Sequence, residues 1–340
     1  MPTVSAGTSV ASADCYRAAA RIVAGILGQQ DGRRVAVVVS AMGGKPKVTD
    51  LLLQAVRHAS TDGVDSAMEL LAMVRKKYCE CIADLLVNQE TAAGLISEID
   101  GDLRDLRDVL RAVELMKFDG EQMLELVSGY GEVWSAKVFN EHLCELGHEF
   151  SFINAKEVLF VENGGASGLE VLYEKSREAL TKKIEGLPGN NKTNLMITGY
   201  VASTSKGLAT TLRRDGSDFS ASIFGQLLSA ADVSIWTDVN GVLTADPRRV
   251  PGAQSLARIS YYEATELAYW GAKVIHPKTM QPAIIEGIPI YIRNTFEPDM
   301  PGTKIHVSDA ETQSRSTCVC VRVSQPGWCS LPISTSNSLH

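Results

Sequence analysis

The sequence predicts an α/β fold, a mainly parallel sheet with helices on both faces. Three observations carry that expectation. Apolar runs rich in β-branched residues alternate with helix-forming segments through both halves of the chain. One of those runs, in "RRVAVVVS", is nearly continuous in β-branched residues, the mark of a strand covered on both faces. The chain, 340 residues with 45% hydrophobic and 21% charged side chains, is long enough to bury a large core as one big domain or two lobes.

Taken in order, residues 12–27 read as an amphipathic helix opened by Ser12 and Asp14. "RRVAVVVS" (33–40) is a buried strand, followed by the glycine-containing loop "AMGGKPK" and by several helical segments between residues 48 and 146. Within those, "DLRDLRD" places Arg104 and Asp108 four apart on a solvated face, where pairing is weak. "EFSFINA", "EVLFVE" and "TNLMITGYV" are strands, with a helix over about residues 168–184 among them. "VSIWTDV" is another buried strand, and "IPIYIRN" (288–294) is the last clear one. From about residue 325 the chain holds Pro, Gly, Ser and Trp without period and reads as irregular.

A net charge of −7 without a Lys/Arg block argues against nucleic acid and against an anionic membrane surface. No apolar run reaches spanning length and no signal pattern opens the chain, so a soluble intracellular protein is expected, cytoplasmic by default. The seven cysteines (15, 79, 81, 144, 318, 320 and 329) are odd in number and lack zinc-knuckle spacing, which predicts buried reduced thiols.

In open parallel sheets, ligands bind at the carboxyl ends of strands. One such end carries "TTLRRDGSDFSA" (210–221), with two arginines, a serine and two aspartates at a helix entrance. Capping by Ser217 or Asp218 accounts for part of it, but not for Arg213 and Arg214, which point to an anionic ligand. Other strand ends supply Ser40 with Gly43 and Gly44, Thr237 with Asp238, the turn Asp246-Pro247-Arg248, and Lys273 with His276. The chain has no Walker A sequence, no dinucleotide fingerprint after its first buried strand and no nucleophile elbow after a strand. Arg214, Asp218, Asp238, Arg248 and Lys273 together suit phosphoryl transfer, in which cations stabilise charge spread over phosphate oxygens.

At these residues the chain resembles the amino-acid kinases, and within them the aspartate kinases. "VVVSAMGGKPKVTDLLL", "SGYGEVWSA", "TTLRRDGSDFSA", "WTDVNGVLTADPRRV" and "GAKVIHPKTMQPA" are similar to family segments and occur in family order over about residues 6–307. The resemblance implies the amino-acid kinase fold, a three-layer αβα sandwich. It also implies transfer of a phosphoryl group from ATP, with Mg²⁺, to the side-chain carboxylate of L-aspartate. By position, Glu132 would hold the substrate ammonium and Arg214 a carboxylate. Ser40, Thr49 and Ser217 would donate hydroxyls, and Asp218 and Gly7 would lie at the reacting groups. Thr237, Asp238, Arg248 and Lys273 would line the ATP site. His276, at a His-Pro helix start, is read as structural.

Three departures stand out. "KPK" lengthens the second loop, Leu243 replaces a usual tyrosine, and Val4 stands where the family carries the lysine of Lys-Phe-Gly-Gly-Thr-Ser, with most of the preceding strand expected to be missing. Loss of that cation implies a weak catalyst, and keeps open a non-catalytic ligand-binding or assembly subunit. A kinase of glutamate or acetylglutamate is the other alternative. Residues 1–307 would be the catalytic domain, and 308–340 the remnant of a regulatory ACT-domain start, "STCVCVRV", with its tail. Such a chain is expected to be blind to lysine and threonine, and surface bared by missing modules would favour a homo-oligomer. A plastid address would apply if a transit peptide belongs upstream.

Overall fold

In a computed structural model, residues 3–6, 8–29, 34–165, 168–188, 193–213, 216–245, 250–269 and 275–307 are described. β1 (Thr3–Ala6) passes through a 3₁₀ turn (Thr8–Val10) into α1 (Ala13–Gly28), whose first turn is capped by the Ser12 hydroxyl accepting from the Cys15 amide. β2 (Ala36–Val39) leads to a helical block: α2 (Val48–Thr61), α3 (Val64–Leu85), α4 (Gln89–Met116), α5 (Glu121–Ser128) and α6 (Tyr130–Glu145). The breaks have local causes. Gly63, at φ 100°, separates α2 from α3, and the Asn88 side chain accepts from the Glu90 and Thr91 amides to start α4.

The chain then alternates between strands and helices: β3 (Phe150–Ile153), α7 (Ala155–Val158), β4 (Phe160–Asn163), β5 (Leu169–Val171), α8 (Tyr173–Glu185), β6 (Asn194–Thr198), β7 (Val201–Thr204), β8 (Ala209–Thr211) and α9 (Gly216–Leu227). It closes with β9 (Val233–Thr237), β10 (Arg258–Ser260), α10 (Tyr261–Tyr269), α11 (Pro277–Glu286), β11 (Ile290–Asn294) and β12 (Thr303–His306).

Eight strands form the main sheet in the order β10-β12-β11-β9-β1-β2-β6-β3, and only the β11–β12 pairing is antiparallel. β2 shows why its run is apolar throughout. Val37 and Val39 pack into one cluster with α1, α2, α3, α4 and α6, while Ala36 and Val38 pack into a second with α8, α9, α10 and α11. These are the three αβα layers. β1 sits in the middle, paired on both sides from Thr3 to Ala6, so the opening strand expected to be mostly missing contributes as many residues as β2.

Several sequence expectations need correction. A second sheet, β5-β4-β7-β8, is largely antiparallel and was not foreseen. "TNLMITGYV" is two strands, because the chain turns at Gly199 and at Tyr200, whose φ is 64°. In "EVLFVE" the first two residues close the short helix α7, and the strand starts at Phe160. The stretch read as helix from residue 168 begins as β5. β12 adds a strand beyond β11. Of the four described cysteines, all free, only Cys81 is buried, and Cys144 is exposed.

α6 is largely enclosed, with Trp134, Ala136, Val138 and Phe139 all buried. On it, the Gly131 carbonyl accepts from the buried Tyr78 hydroxyl of α3 at 2.8 Å. Tyr78→Phe is expected to lower unfolding free energy by about 1–2 kcal/mol, read from urea denaturation, because it strips one bond from a dry helix pair. An unchanged midpoint would show that this bond does not tie α3 to α6.

Candidate functional site

The loops at the carboxyl ends of β2, β6 and β9 converge around the central strand β1. Ser40 directly follows β2, half-buried. The loop after it is closed by the Val48 amide donating to the Met42 carbonyl at 3.1 Å, which places Thr49 in the first turn of α2. Lys77 of α3 clamps the loop from outside, donating to the Gly43 carbonyl at 3.1 Å and to the Pro46 carbonyl. The "KPK" insertion is therefore held in place.

Glu132 lies in the first turn of α6, 4% exposed. Its neighbour Gly131 lets the helix approach that loop closely: a Cβ there would stand 2.9 Å from the Ala41 Cβ and 3.1 Å from the Val48 Cγ1. The backbone amides of Ala41 and of Glu132 itself face the carboxylate, while Oε2 is buried without a hydrogen-bond partner. Burial pushes its pKa up to about 8, with those amides and the charge of Lys156 pulling the other way. A dry, half-satisfied carboxyl of this kind is built to receive a cationic hydrogen-bond donor.

Ser217 and Asp218 both lie inside the first turn of α9, which starts at Gly216, so neither is the residue before the helix. Ser217 is fixed against the sheet. A Cβ on Gly199 would come within 2.8 Å of the Ser217 Oγ and 3.0 Å of the Val39 carbonyl. Glycine at 199 thus brings the α9 terminus, with its backbone dipole favouring anions, onto the ends of β2 and β6. Arg213 adopts a left-handed φ of 62° and pairs with Glu121 at 3.0 Å. It faces a cavity of about 260 Å³, also lined by Glu125, Glu162 and Thr210, rather than the Ser217 side.

Thr237 ends β9, and its hydroxyl donates to the exposed Asp238 carboxylate at 3.2 Å. β9 and β2 flank β1, so Thr237 and Ser40 stand roughly 10 Å apart, two strand spacings. Leu243 bridges Ser255 across a turn, a backbone role that its side chain does not decide. His276 caps α11 by accepting from the Lys278 amide at 3.2 Å, the structural role expected.

Ser40, Thr49, Glu132 and Ser217 are thereby gathered on one edge of the sheet, with Asp218 beside them and Thr237 and Asp238 across β1. Gly7, Arg214, Arg248 and Lys273 lie outside the described residues. Sequence reasoning missed Lys156, on the single helical turn α7, whose ammonium stands 5.2 Å from the Tyr130 ring centroid. The signal was a lysine three residues after a strand end, following the capping residue Asn154.

The sequence pattern of the Amino acid kinase family matches residues 6–294. The chain belongs to that family. It is 39% identical over 283 residues to bifunctional aspartokinase/homoserine dehydrogenase 1, chloroplastic, of Zea mays, covering 83% of this chain and 30% of that protein. It is 34% identical to aspartokinase 2, chloroplastic, of Arabidopsis thaliana, covering 88% of this chain and 53% of that one. The chain thus spans about a third to a half of these relatives. Among solved structures, E. coli aspartokinase III in complex with aspartate and ADP superposes with a TM-score of 0.79 at 28% identity, over 91% of this chain and 65% of that one. The fold is the α/β amino-acid kinase fold expected from the sequence. Among the described residues no helix is long and apolar enough to cross a membrane, and no cluster of His, Cys, Asp and Glu could hold a metal by itself.

The raised Glu132 pKa makes stability depend on pH. Below about pH 4.5 folded and unfolded chains both hold the proton. Between about 4.5 and 8 only the folded chain holds it, so this group's contribution is lost as pH rises through that window. The melting temperature of Glu132→Gln is expected to gain on the wild type from pH 4.5 to 8 and to run parallel above it. Parallel curves throughout would mean that the carboxyl is solvated.

Proposed function

We propose that this chain is the catalytic unit of an aspartate kinase, transferring the γ-phosphoryl group of ATP to the side-chain carboxylate of L-aspartate. The observation that carries the reading is Glu132, a buried carboxyl with an unpartnered oxygen at the edge where Ser40, Thr49 and Ser217 meet. Its chemistry calls for an ammonium. That disfavours acetylglutamate, whose nitrogen is acylated and uncharged. The relatives' names, and the aspartate and ADP in the E. coli structure, support aspartate and ATP as the pair.

In this reading Glu132 receives the substrate ammonium, Arg214 a carboxylate, and the hydroxyls of Ser40, Thr49 and Ser217 orient the acceptor. A carboxylate oxygen attacks the γ-phosphorus, a new P–O bond forms, and the bond to the β,γ-bridging oxygen breaks as ADP leaves. No proton need be transferred. The first turn of α9, with Ser217, offers fixed dipoles to the charge on the transferring group. Gly7 would pass the chain close to that group. Thr237, Asp238, Arg248 and Lys273 hold the nucleotide across β1. Asp218 and Asp238 are the carboxylates that would hold Mg²⁺ brought in on the nucleotide phosphates. Bound so, Mg²⁺ would neutralise phosphate charge.

Residues 1–307 form the catalytic unit in this reading. The exposed Leu115, Met116 and Phe118 at the end of α4 support self-association. The chloroplast relatives support a plastid setting.

Two experiments test the reading. Incubation with ATP, Mg²⁺ and L-aspartate, with the acyl phosphate trapped by hydroxylamine, should yield aspartyl hydroxamate. Calorimetry that finds neither substrate bound would overturn the assignment. Val4, paired with Val37 and Ser234 in the central strand, occupies the family's lysine position. Val4→Lys is expected to raise turnover about 10²–10³-fold with little change in aspartate affinity. Equal turnover would show that the lysine is dispensable here.

A further inference from the structure

Two carboxylates on one face of α5 grip the chain as it leaves β8. Glu121 and Glu125 stand one helical turn apart. The Glu125 carboxylate accepts from the Thr210 hydroxyl at 2.8 Å, and Glu121 pairs with Arg213 at 3.0 Å. The two contacts differ in weight. Thr210 is buried and Glu125 half-buried, whereas Glu121 and Arg213 are both more than half exposed, where an ion pair is worth little. Arg213 still keeps a left-handed φ of 62°, which a residue other than glycine holds only when its surroundings impose it. Beside these contacts packing gives way to the cavity of about 260 Å³ between α5 and β4. Polar bonds, rather than a filled core, therefore set the spacing on this side.

Each partner heads a segment that ends at the rim of the main sheet. α5 passes through Gly129 into α6, whose first turn holds Glu132. That joint is tight. The Gly129 amide donates to the Glu125 carbonyl at 3.3 Å, and a Cβ on Gly129 would stand 2.8 Å from the Val201 Cγ1 of β7. From Thr210 the chain runs on to Arg214 and then to Ser217 in the first turn of α9.

We propose that Glu125 and Thr210 are positioning residues that fix the span between the ammonium site at Glu132 and the carboxylate site at Arg214, and so set the length of substrate accepted. The inference rests on the reading of those two sites as the holders of L-aspartate. A single bond joins the two arms close to where they diverge toward the substrate. With that bond made, the span suits aspartate and disfavours L-glutamate, which is one methylene longer. With it broken, the arms are free to part and the preference weakens.

The test measures binding to the full chain by calorimetry. Thr210→Val keeps the side-chain shape and removes the donor. It should weaken L-aspartate about tenfold and L-glutamate less, with ATP unchanged, because only the span has loosened. Thr210→Ser and Glu125→Gln each keep a bonding partner in place and should stay close to the wild type. Glu125→Leu should match Thr210→Val, and the double variant should lose no more than either alone. Thr210→Ala serves if the valine variant fails to fold. Equal losses for aspartate, glutamate and ATP, the sign of a merely structural role, overturn the proposal, as do unchanged affinities or additive losses in the double variant. A wild type that binds no aspartate sinks the aspartate reading instead. Amide hydrogen exchange then still decides whether the bond joins the arms: in Thr210→Val it should quicken across β8 and the first turn of α9 but not in β2, and unchanged exchange would show that the bond fixes nothing.

Discussion

Burying one carboxyl group at the start of α6 is the constraint on which the arrangement of the site depends. An ionised carboxylate in a dry interior costs several kcal/mol unless nearby dipoles or cations answer it. Here the answer is partial. Amides at Ala41 and Glu132 itself face the carboxylate, and Lys156 contributes at a distance. Other features serve to hold those groups in place: Gly131 for close approach, Tyr78 bonded to the Gly131 carbonyl, and the α2–α4 block that excludes water. One oxygen is left unanswered, and that vacancy sits at the carboxyl edge of the sheet.

The topology explains why the remaining groups arrive at the same edge. Parallel pairing of β1 with β2 and β9, and of β2 with β6, turns all four strand ends the same way. The loops that follow must therefore share one rim. Gly199 then decides how close α9 comes, since any side chain there would displace Ser217. The small second sheet diverts the chain after β6 and returns it through β8 to α9. In this way the chain passes from the second sheet to α9, with Ser217 and Asp218 in its first turn.

Much of this was legible in the sequence, for reasons that can be named. β2 is apolar on both faces because helices cover both, so its run is continuous and conspicuous. The segment around Glu132 was legible only through its likeness to a family segment. The second sheet was not legible. Its strands have three or four residues, too few to display a period, and the break at Tyr200 relies on a positive φ that tyrosine seldom signals. Lys156 was missed for a similar reason. Its helix is a single turn, and its importance comes from contacts with residues some twenty-five positions earlier and nearly fifty later. Cys144 was placed inside by residue type, but the end of α6 leaves it in solvent.

The central claim is that Glu132 rests largely protonated and ionises to hold a substrate ammonium. Calorimetric titration of L-aspartate in two buffers of different ionisation enthalpy, at about pH 7, measures the protons exchanged on binding. The account predicts release of close to one proton per aspartate bound by the wild type and none by Glu132→Gln. Binding by the wild type without proton release, or with the same release in Glu132→Gln, would contradict it.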